Sequence, residues 1–289
     1  MKASSKQRKM ALFLAASLLG TATAFGQAQP MQQQPTPTPA PSNKSAAPQA
    51  APLTLESAPP PVSAEEEAAI KAFHDQKNED ATKKEQMAEE FLQKYPQSRY
   101  RPELYSWLVK FYLSKGQVDK MEAAGDKQLE LTPNDPTTLA LVGSTLPRAM
   151  NASTLDPQKR LAKSEQYCQK ALDLLPTIVK PETLPDDAFR LAKNQTAALA
   201  YSGLGVVAFR RGKYADAILN FEQSVKLDPQ PDPVNYYLLG ISNEKTSHFD
   251  DAVTAFTKCA AMPSGLQTTC TQSAEEAKKL AATQLSAPK

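Results

Sequence analysis

The sequence predicts an all-α protein: a solenoid of antiparallel helix pairs closed by a C-terminal capping helix. Three observations lead there. Residues 198–229 hold two helical periods, with Tyr201, Leu204, Gly205 and Ala208 on one stripe and Tyr214, Ala217, Phe221, Ser224 and Val225 on the next. Small and apolar residues at i, i+3, i+4 and i+7 mark amphipathic helices. A shift of 35 residues then brings the pattern back: Tyr201 falls on Tyr236, Leu204 on Leu239, Gly205 on Gly240, Tyr214 on Phe249, Ala217 on Ala252 and Phe221 on Phe256. A two-helix unit recurring at about 34 residues is the mark of a helical solenoid. Finally, start and stop signals punctuate the chain. Pro102, Asp135-Pro136, Asp156-Pro157 and Asp232-Pro233 open helices, and Pro96, Pro133, Pro176, Pro229 and Pro263 follow their ends.

The N-terminus reads as an address. Lys2, Lys6, Arg8 and Lys9 precede the apolar run Met10–Gly20, and Thr21-Ala22-Thr23-Ala24-Phe25-Gly26 offers small-residue cleavage after Ala24 or Gly26. This is the pattern of a secretory signal peptide over 1–26. The apolar run is shorter than the ~20 residues that span a bilayer. No Cys follows the apolar core, so a lipoprotein anchor is not supported. The expected location is the periplasm or the exterior. The segment carries four cations and no anion, so its removal takes the formal charge from +2 to −2. Nucleic-acid binding then loses its electrostatic motive.

Residues 27–62 are rich in Pro, Gln, Ala, Thr and Ser, with Pro35-Thr36-Pro37-Thr38-Pro39 and Pro59-Pro60-Pro61. Such a stretch cannot bury enough apolar surface to offset its ordering entropy. It is expected to be a disordered linker, reaching about 100 Å if fully extended, or a ligand for a proline-reading partner.

The repeat domain is expected over 63–285. A first, degenerate unit covers about 63–97. It opens on a capping box at Ser63-Ala64-Glu65-Glu66 and continues through Ala68, Ala69, Ala72 and Phe73 to a second helix carrying Met87, Phe91 and Leu92. The unit at 102–135 places Tyr105, Leu108, Val109 and Tyr112 on its first helix, turns at Gly116, and continues with Val118, Met121, Ala124 and Leu129. The unit at 136–178 carries Leu139, Val142, Gly143 and Leu146, and Pro147 is expected to end that helix early. About nine inserted residues separate it from a helix with Leu161, Cys168, Ala171 and Leu172. After a second interruption at Thr177–Pro185, Asp186 opens a long helix through Phe189, Leu191, Ala192, Thr196 and Leu199. Its first three turns would project from the solenoid or fold back over the loop. Units at 198–231 and 233–265 follow, the latter with a capping-box-like Ser247-x2-Asp250. A helix over 266–285 has Cys270, Ala274, Ala277, Leu280 and Ala281 inward and Glu275, Glu276, Lys278 and Lys279 outward. It suits the terminal cap that a solenoid needs.

The recurring residues read aromatic-x2-Leu-Gly, then Gly-x-Tyr-x2-Ala-x3-Phe, then Pro. Over Ala198–Pro263 they resemble the tetratricopeptide repeat family. The resemblance implies a right-handed superhelix whose concave groove is lined by the first helix of each pair and holds a peptide or protein partner. Tyr201, Leu204, Gly205, Tyr214, Ala217, Phe221, Tyr236, Leu239, Gly240, Phe249, Ala252 and Phe256 then take the repeat-core positions. The groove positions are Leu199, Ser202, Val206, Phe209 and Arg210, then Val234, Tyr237, Ile241, Glu244 and Lys245. Val206, Phe209, Tyr237 and Ile241 look unnecessary to the repeat core. They would meet a partner, or else the projecting helix or the 177–185 loop. Family members that clamp a terminal carboxylate use Lys and Asn where this chain has Ser202, Val206 and Leu238, so that activity is not carried over. Trp107 is a second anchor candidate or an inter-helix packing residue. The tail of the first unit, Phe91-Leu92-x2-Tyr95-Pro96-x-Ser98, resembles helix ends of exported repeat proteins of envelope assembly.

Chemistry is sparse. The two histidines, His74 and His248, sit apart from any Cys or carboxylate cluster at ligand spacing. Nucleophile-elbow, zinc-helix and phosphate-loop motifs are missing from the sequence, so neither cofactor nor catalysis is expected. Cys259 and Cys270 flank the Pro263–Gly265 turn, where antiparallel helices would bring them level; they form a bridge or are two small core residues. The expected function is a non-enzymatic envelope scaffold. The alternative is a structural subunit that self-associates by stacking its terminal repeats.

Overall fold

The computed structural model describes residues 62–77 and 80–286. The expected signal peptide at 1–26, and all of the expected linker but Val62, lie outside the described residues. Within them the architecture is eleven α-helices and no strand: α1 (Ala64–Asp75), α2 (Ala81–Lys94), α3 (Arg101–Ser114), α4 (Val118–Leu131), α5 (Pro136–Ala149), α6 (Pro157–Leu174), α7 (Asp186–Arg210), α8 (Tyr214–Leu227), α9 (Pro233–Lys245), α10 (Phe249–Ala260) and α11 (Gln267–Ser286). A 3-10 turn, Leu175–Thr177, follows α6. Consecutive helices pair, each pair packs on the next, and α11 covers the last. Among the described residues no helix is long and apolar enough to cross a membrane.

Three of the turns within pairs share one design. The N–H of Gln117 bonds Tyr112 O, that of Lys213 bonds Ala208 O and that of His248 bonds Asn243 O, each at 2.9 Å. This six-to-one bond closes a helix only if the preceding residue is left-handed. Gly116 (φ 68°), Gly212 (φ 72°) and Ser247 (φ 62°) supply that conformation. The expected capping box at Ser247-x2-Asp250 is therefore not formed. Ser247 is consumed by the turn, and α10 starts behind His248 without a side-chain cap. The box at Ser63 is half made: Ser63 Oγ accepts from Glu66 N–H at 3.1 Å. The Glu66 side chain instead turns inward, its Oε1 buried without a hydrogen-bond partner.

Pairs close where a glycine of the first helix receives a side chain from the second. A Cβ on Gly205 would stand 2.7 Å from the Phe221 ring, and one on Gly240 would stand 2.5 Å from the Phe256 ring. Both rings are fully buried. In the third pair Cys168 takes the place of the ring. Its Sγ would lie 2.6 Å from a Cβ on Gly143 and 2.5 Å from one on Gly203, so α5, α6 and α7 converge on one sulfur. Burial pushes the Cys168 thiol up to about 12, which makes it packing rather than a nucleophile at neutral pH. Of the expected core residues, Gly205, Ala217, Phe221, Leu239, Gly240, Ala252 and Phe256 are buried, while Tyr201, Leu204, Tyr214, Tyr236 and Phe249 are half-buried at the seams.

Two expectations about helix ends change. Pro147 does not end α5, which runs on to Ala149. Proline lacks the N–H that would have bonded the carbonyl four residues back; Ser164 Oγ of α6 donates to that carbonyl, Gly143 O, instead. Leu280 of α11, expected inward, is 44% exposed, because the core contact of α11 runs through Cys270, Ala274 and Ala277 and stops there. Helix α7 does project: no residue from 186 to 197 is buried, and Leu191 is 43% exposed. A disulfide joins Cys259 of α10 to Cys270 of α11 with Cα atoms 5.8 Å apart, fixing the cap to the last pair.

The shared turn makes a direct prediction. Ser247→Gly should raise unfolding free energy by roughly 0.5–1 kcal/mol, since a side chain at positive φ carries strain that glycine lacks. Gly212→Ala should lower it by at least as much. Urea titration of both variants checks this, and a Ser247→Gly variant less stable than wild type would contradict it.

Candidate partner-binding face

The first helices α5, α7 and α9 lie side by side, and their common face carries the expected groove residues. The structure divides that set. Ser202, Val206 and Phe209 are 2%, 1% and 7% exposed, so they do not offer themselves to a partner, which corrects the expectation that they line an open groove. Phe209 packs edge-on to Tyr214 with centroids 5.7 Å apart, and Val206 shares a cluster with Leu238 and Leu239. The physical reason is that this half of α7 is contacted by α5, α6, α8 and α9 together. A signal existed in the sequence: Gly203-Leu204-Gly205-Val206-Val207-Ala208-Phe209 holds no polar residue, and a helix apolar all round is a buried one.

Leu199 and Lys245 of the same set are exposed, and Arg210, Val234, Tyr237, Ile241 and Glu244 are half-buried. Tyr237 backs onto Phe256 with centroids 5.9 Å apart. Burial raises its hydroxyl, with Glu244 and Glu276 adding to the shift. Burial also raises the Glu244 carboxyl, and Glu276 adds to it. Arg210 donates to Met150 O at 2.9 Å, tying the insertion after α5 back to α7.

Beneath this face runs a polar network that sequence reasoning missed. Arg148, the residue after Pro147, reaches Asp232 Oδ2 at 2.8 Å and bonds both Ser202 Oγ and Asn235 Oδ1. Ser202 Oγ donates to Asn235 Oδ1 at 2.8 Å, Asn235 Nδ2 donates to Ser224 Oγ at 3.1 Å, and Ser224 Oγ donates to Ala198 O at 2.8 Å. Asp232 meanwhile caps α9 by accepting from Val234 N–H. Side chains from α5, α7, α8 and α9 are thus held together, and each of these buried side chains has a partner, the condition under which buried polar groups specify an arrangement rather than weaken it. Arg148 lies 54 to 87 residues from its partners in sequence, so no local pattern announces them.

The opposite face is fastened by charge. Arg160 of α6 meets Asp119 (2.9 Å) and Glu122 (2.7 Å) of α4, and Lys163 meets Glu122 (2.8 Å) and Asp126 (2.7 Å). Tyr167 donates to Asp126 at 3.0 Å. Burial would raise the Glu122 carboxyl, but Lys163 and Arg160 together hold it below the ordinary value of a glutamate.

At the N-terminal end a cleft of about 380 Å³ opens among α1, α2 and α3, lined by Phe73, His74, Lys84, Glu103, Ser106, Trp107 and Lys110. Trp107 stacks on Phe111 (centroids 5.0 Å apart, 12° between planes) and meets Phe73 edge-on at 5.4 Å. It packs between helices and still shows part of its ring to the cleft. His74 Nε2 lies 2.7 Å from Glu103 Oε1, and His248 Nδ1 lies 3.1 Å from Thr246 Oγ1. Among the described residues no group of three or more His, Cys, Asp or Glu could hold a metal ion.

Residues 198–231 match the family model of the Tetratricopeptide repeat. No curated protein matches the chain. Among solved structures, PilW, described as a widely conserved type IV pilus biogenesis factor, is 16% identical; the match covers 77% of this chain and 93% of that one, with a TM-score of 0.46. A thermophilic TPR protein of Thermus thermophilus is 15% identical, covering 74% of this chain and 99% of its own, with a TM-score of 0.45. The MamA protein is 20% identical, covering 64% and 90%, with a TM-score of 0.40.

The charged fastening sets a pH dependence. Because the folded Glu122 carboxyl is held below its unfolded value, its stabilisation is complete above that unfolded value, near 4.3, and is lost as pH falls through the folded one. Urea midpoints of wild type should drop as pH falls below about 4, and Glu122→Gln should be less stable at pH 7 with a shallower acid decline. Parallel profiles for the two proteins would refute this role.

Proposed function

We propose that this chain, a tetratricopeptide-repeat protein, is a non-enzymatic scaffold that holds a peptide or protein partner in the cell envelope. Tetratricopeptide solenoids are protein-interaction architectures, and stacked helix pairs present extended surfaces suited to that use. The observation that carries the reading is the accessible strip across α7 and α9. Leu199 of α7 is exposed, Val234, Tyr237 and Ile241 of α9 are half-buried apolar residues that also pack towards α10 and α11, and Arg210, Glu244 and Lys245 supply charge on the same two helices. Apolar surface rimmed by charge is the composition of partner sites. Because Ser202, Val206 and Phe209 serve packing, the partner would lie shallowly across the strip rather than insert into a deep groove.

Export is supported by two independent features. The sequence at 1–26 has the three regions of a signal peptide, and the Cys259–Cys270 bond suits an oxidising compartment. Residues 27–62 would let the scaffold reach away from its surroundings. Stacking through terminal repeats, the alternative architecture, is disfavoured at the C-terminal end, where α11 turns Glu275, Glu276, Lys278 and Lys279 to solvent.

The test is cross-linking capture from native envelope extracts with the mature chain, compared with Leu199→Asp plus Lys245→Glu. Both positions are exposed, so helicity should be kept. Capture of the principal partner should fall about tenfold, equivalent to ~1.4 kcal/mol. Undiminished capture of the same partner would move the site off this strip.

A further inference from the structure

Three Asn-x-Ser/Thr triplets occur in the chain: Asn43-Lys44-Ser45, Asn151-Ala152-Ser153 and Asn194-Gln195-Thr196. This spacing is the acceptor signature for sugar transfer to an asparagine side chain. The triplet is short, so its setting decides whether it can serve. Asn43 lies outside the described residues. Asn194 and Thr196 are half-buried within α7, and Thr196 Oγ1 already donates to Ala192 O at 2.9 Å. Asn151, Ala152 and Ser153 are exposed in the irregular segment between α5 and α6, the kind of surface segment an enzyme can engage without breaking a helix. Ser153 N–H donates to Asn151 Oδ1 at 2.8 Å, and Asn151 N–H donates to Thr154 Oγ1 at 2.8 Å. The turn therefore holds the Asn151 carboxamide by its oxygen. Among the described residues neither Asn151 Nδ2 nor Ser153 Oγ has a hydrogen-bond partner. Arg210 fixes the start of the segment at Met150 O, 2.9 Å away, so the triplet is presented from an anchored base.

We propose that Asn151 accepts an N-linked sugar. Asn151 Nδ2 attacks the anomeric carbon of a sugar diphosphate ester. A C–N bond forms, and the C–O bond to the diphosphate breaks. The diphosphate ester leaves with the electron pair, and a base of the sugar transferase takes the Nδ2 proton. Ser153 supplies the unengaged hydroxyl that the acceptor signature requires at its third position. The donor is a nucleotide diphosphate carrying one sugar or a lipid diphosphate carrying an oligosaccharide. The site is independent of the strip on α7 and α9, so either can fail alone.

Peptide mass spectrometry of the full chain, purified from its native host, tests this. Trypsin releases Asn151 in residues 149–159 and Asn194 in residues 194–210. Peptide 149–159 should carry added sugar and peptide 194–210 none. A single added sugar assigns the nucleotide donor, and an oligosaccharide assigns the lipid donor. Asn151→Gln and Ser153→Ala should each abolish the addition, and Ser153→Thr should keep it. All three changes fall at exposed positions, so far-ultraviolet circular dichroism should match wild type. Absence of sugar from peptide 149–159 would overturn the proposal. So would sugar that persists in Asn151→Gln, which would place it on a hydroxyl instead.

Discussion

The close approach of helix to helix at Gly205 and Gly240 is the constraint on which the solenoid depends. A side chain on either glycine would collide with the ring of Phe221 or Phe256, both fully buried. Glycine inside a helix costs about 1 kcal/mol against alanine, so the pairs hold together through ring burial that outweighs it. A buried aromatic side chain removes roughly 150–250 Å² from water, several kcal/mol at ~25 cal/mol/Å². The third pair meets the same constraint with a smaller knob. Cys168 fills less space than a phenyl ring, and two glycines, Gly143 and Gly203, bring two helices onto it from different sides. That substitution draws α7 toward α5. The drawn-in helix is then locked by Arg148, whose partners lie on α7 and α9.

The fold is largely legible in the sequence because its determinants are local. The glycine, the aromatic residue and the proline recur at fixed spacing, and the turn at Gly116 and Gly212 marks the seam. The less legible features each depend on a contact distant in sequence. Pro147 looks like a helix end until Ser164, seventeen positions on, supplies the hydroxyl that meets Gly143 O. Ser247 looks like a cap because its residue type favours caps; the six-to-one turn shared with the other repeats overrides that preference. Val206 and Phe209 read as outward because a repeat unit alone has an outer face. In the assembled stack that face is covered from α5 and α9. Arg148 is invisible to pattern, since its value lies in partners on other helices.

These contacts also decide what surface is left for function. Packing absorbs the middle of α7, and the network of Arg148, Ser202, Asn235 and Ser224 absorbs the polar groups below it. Accessible features that remain include Leu199, the partly exposed Tyr237 and Ile241, the cleft at Trp107, a cleft of about 580 Å³ lined by residues of α6, α7 and α8, and the projecting start of α7. The disulfide and the charged ladder act at the outside of the stack, one fixing the cap and the other fastening α4 to α6.

The most direct measurement is a double-mutant cycle on the repeat seam. Gly240→Ala places a Cβ 2.5 Å from the Phe256 ring. Overpacking of a tight core costs about 1–3 kcal/mol, which exceeds the helix-propensity gain of about 1 kcal/mol, so the variant should be less stable than wild type in urea. In a Phe256→Leu background the ring is gone, and the same Gly240→Ala change should become neutral or stabilising. A Gly240→Ala variant more stable than wild type, or equal effects in both backgrounds, would contradict the claim that glycine–ring contact holds the pairs together.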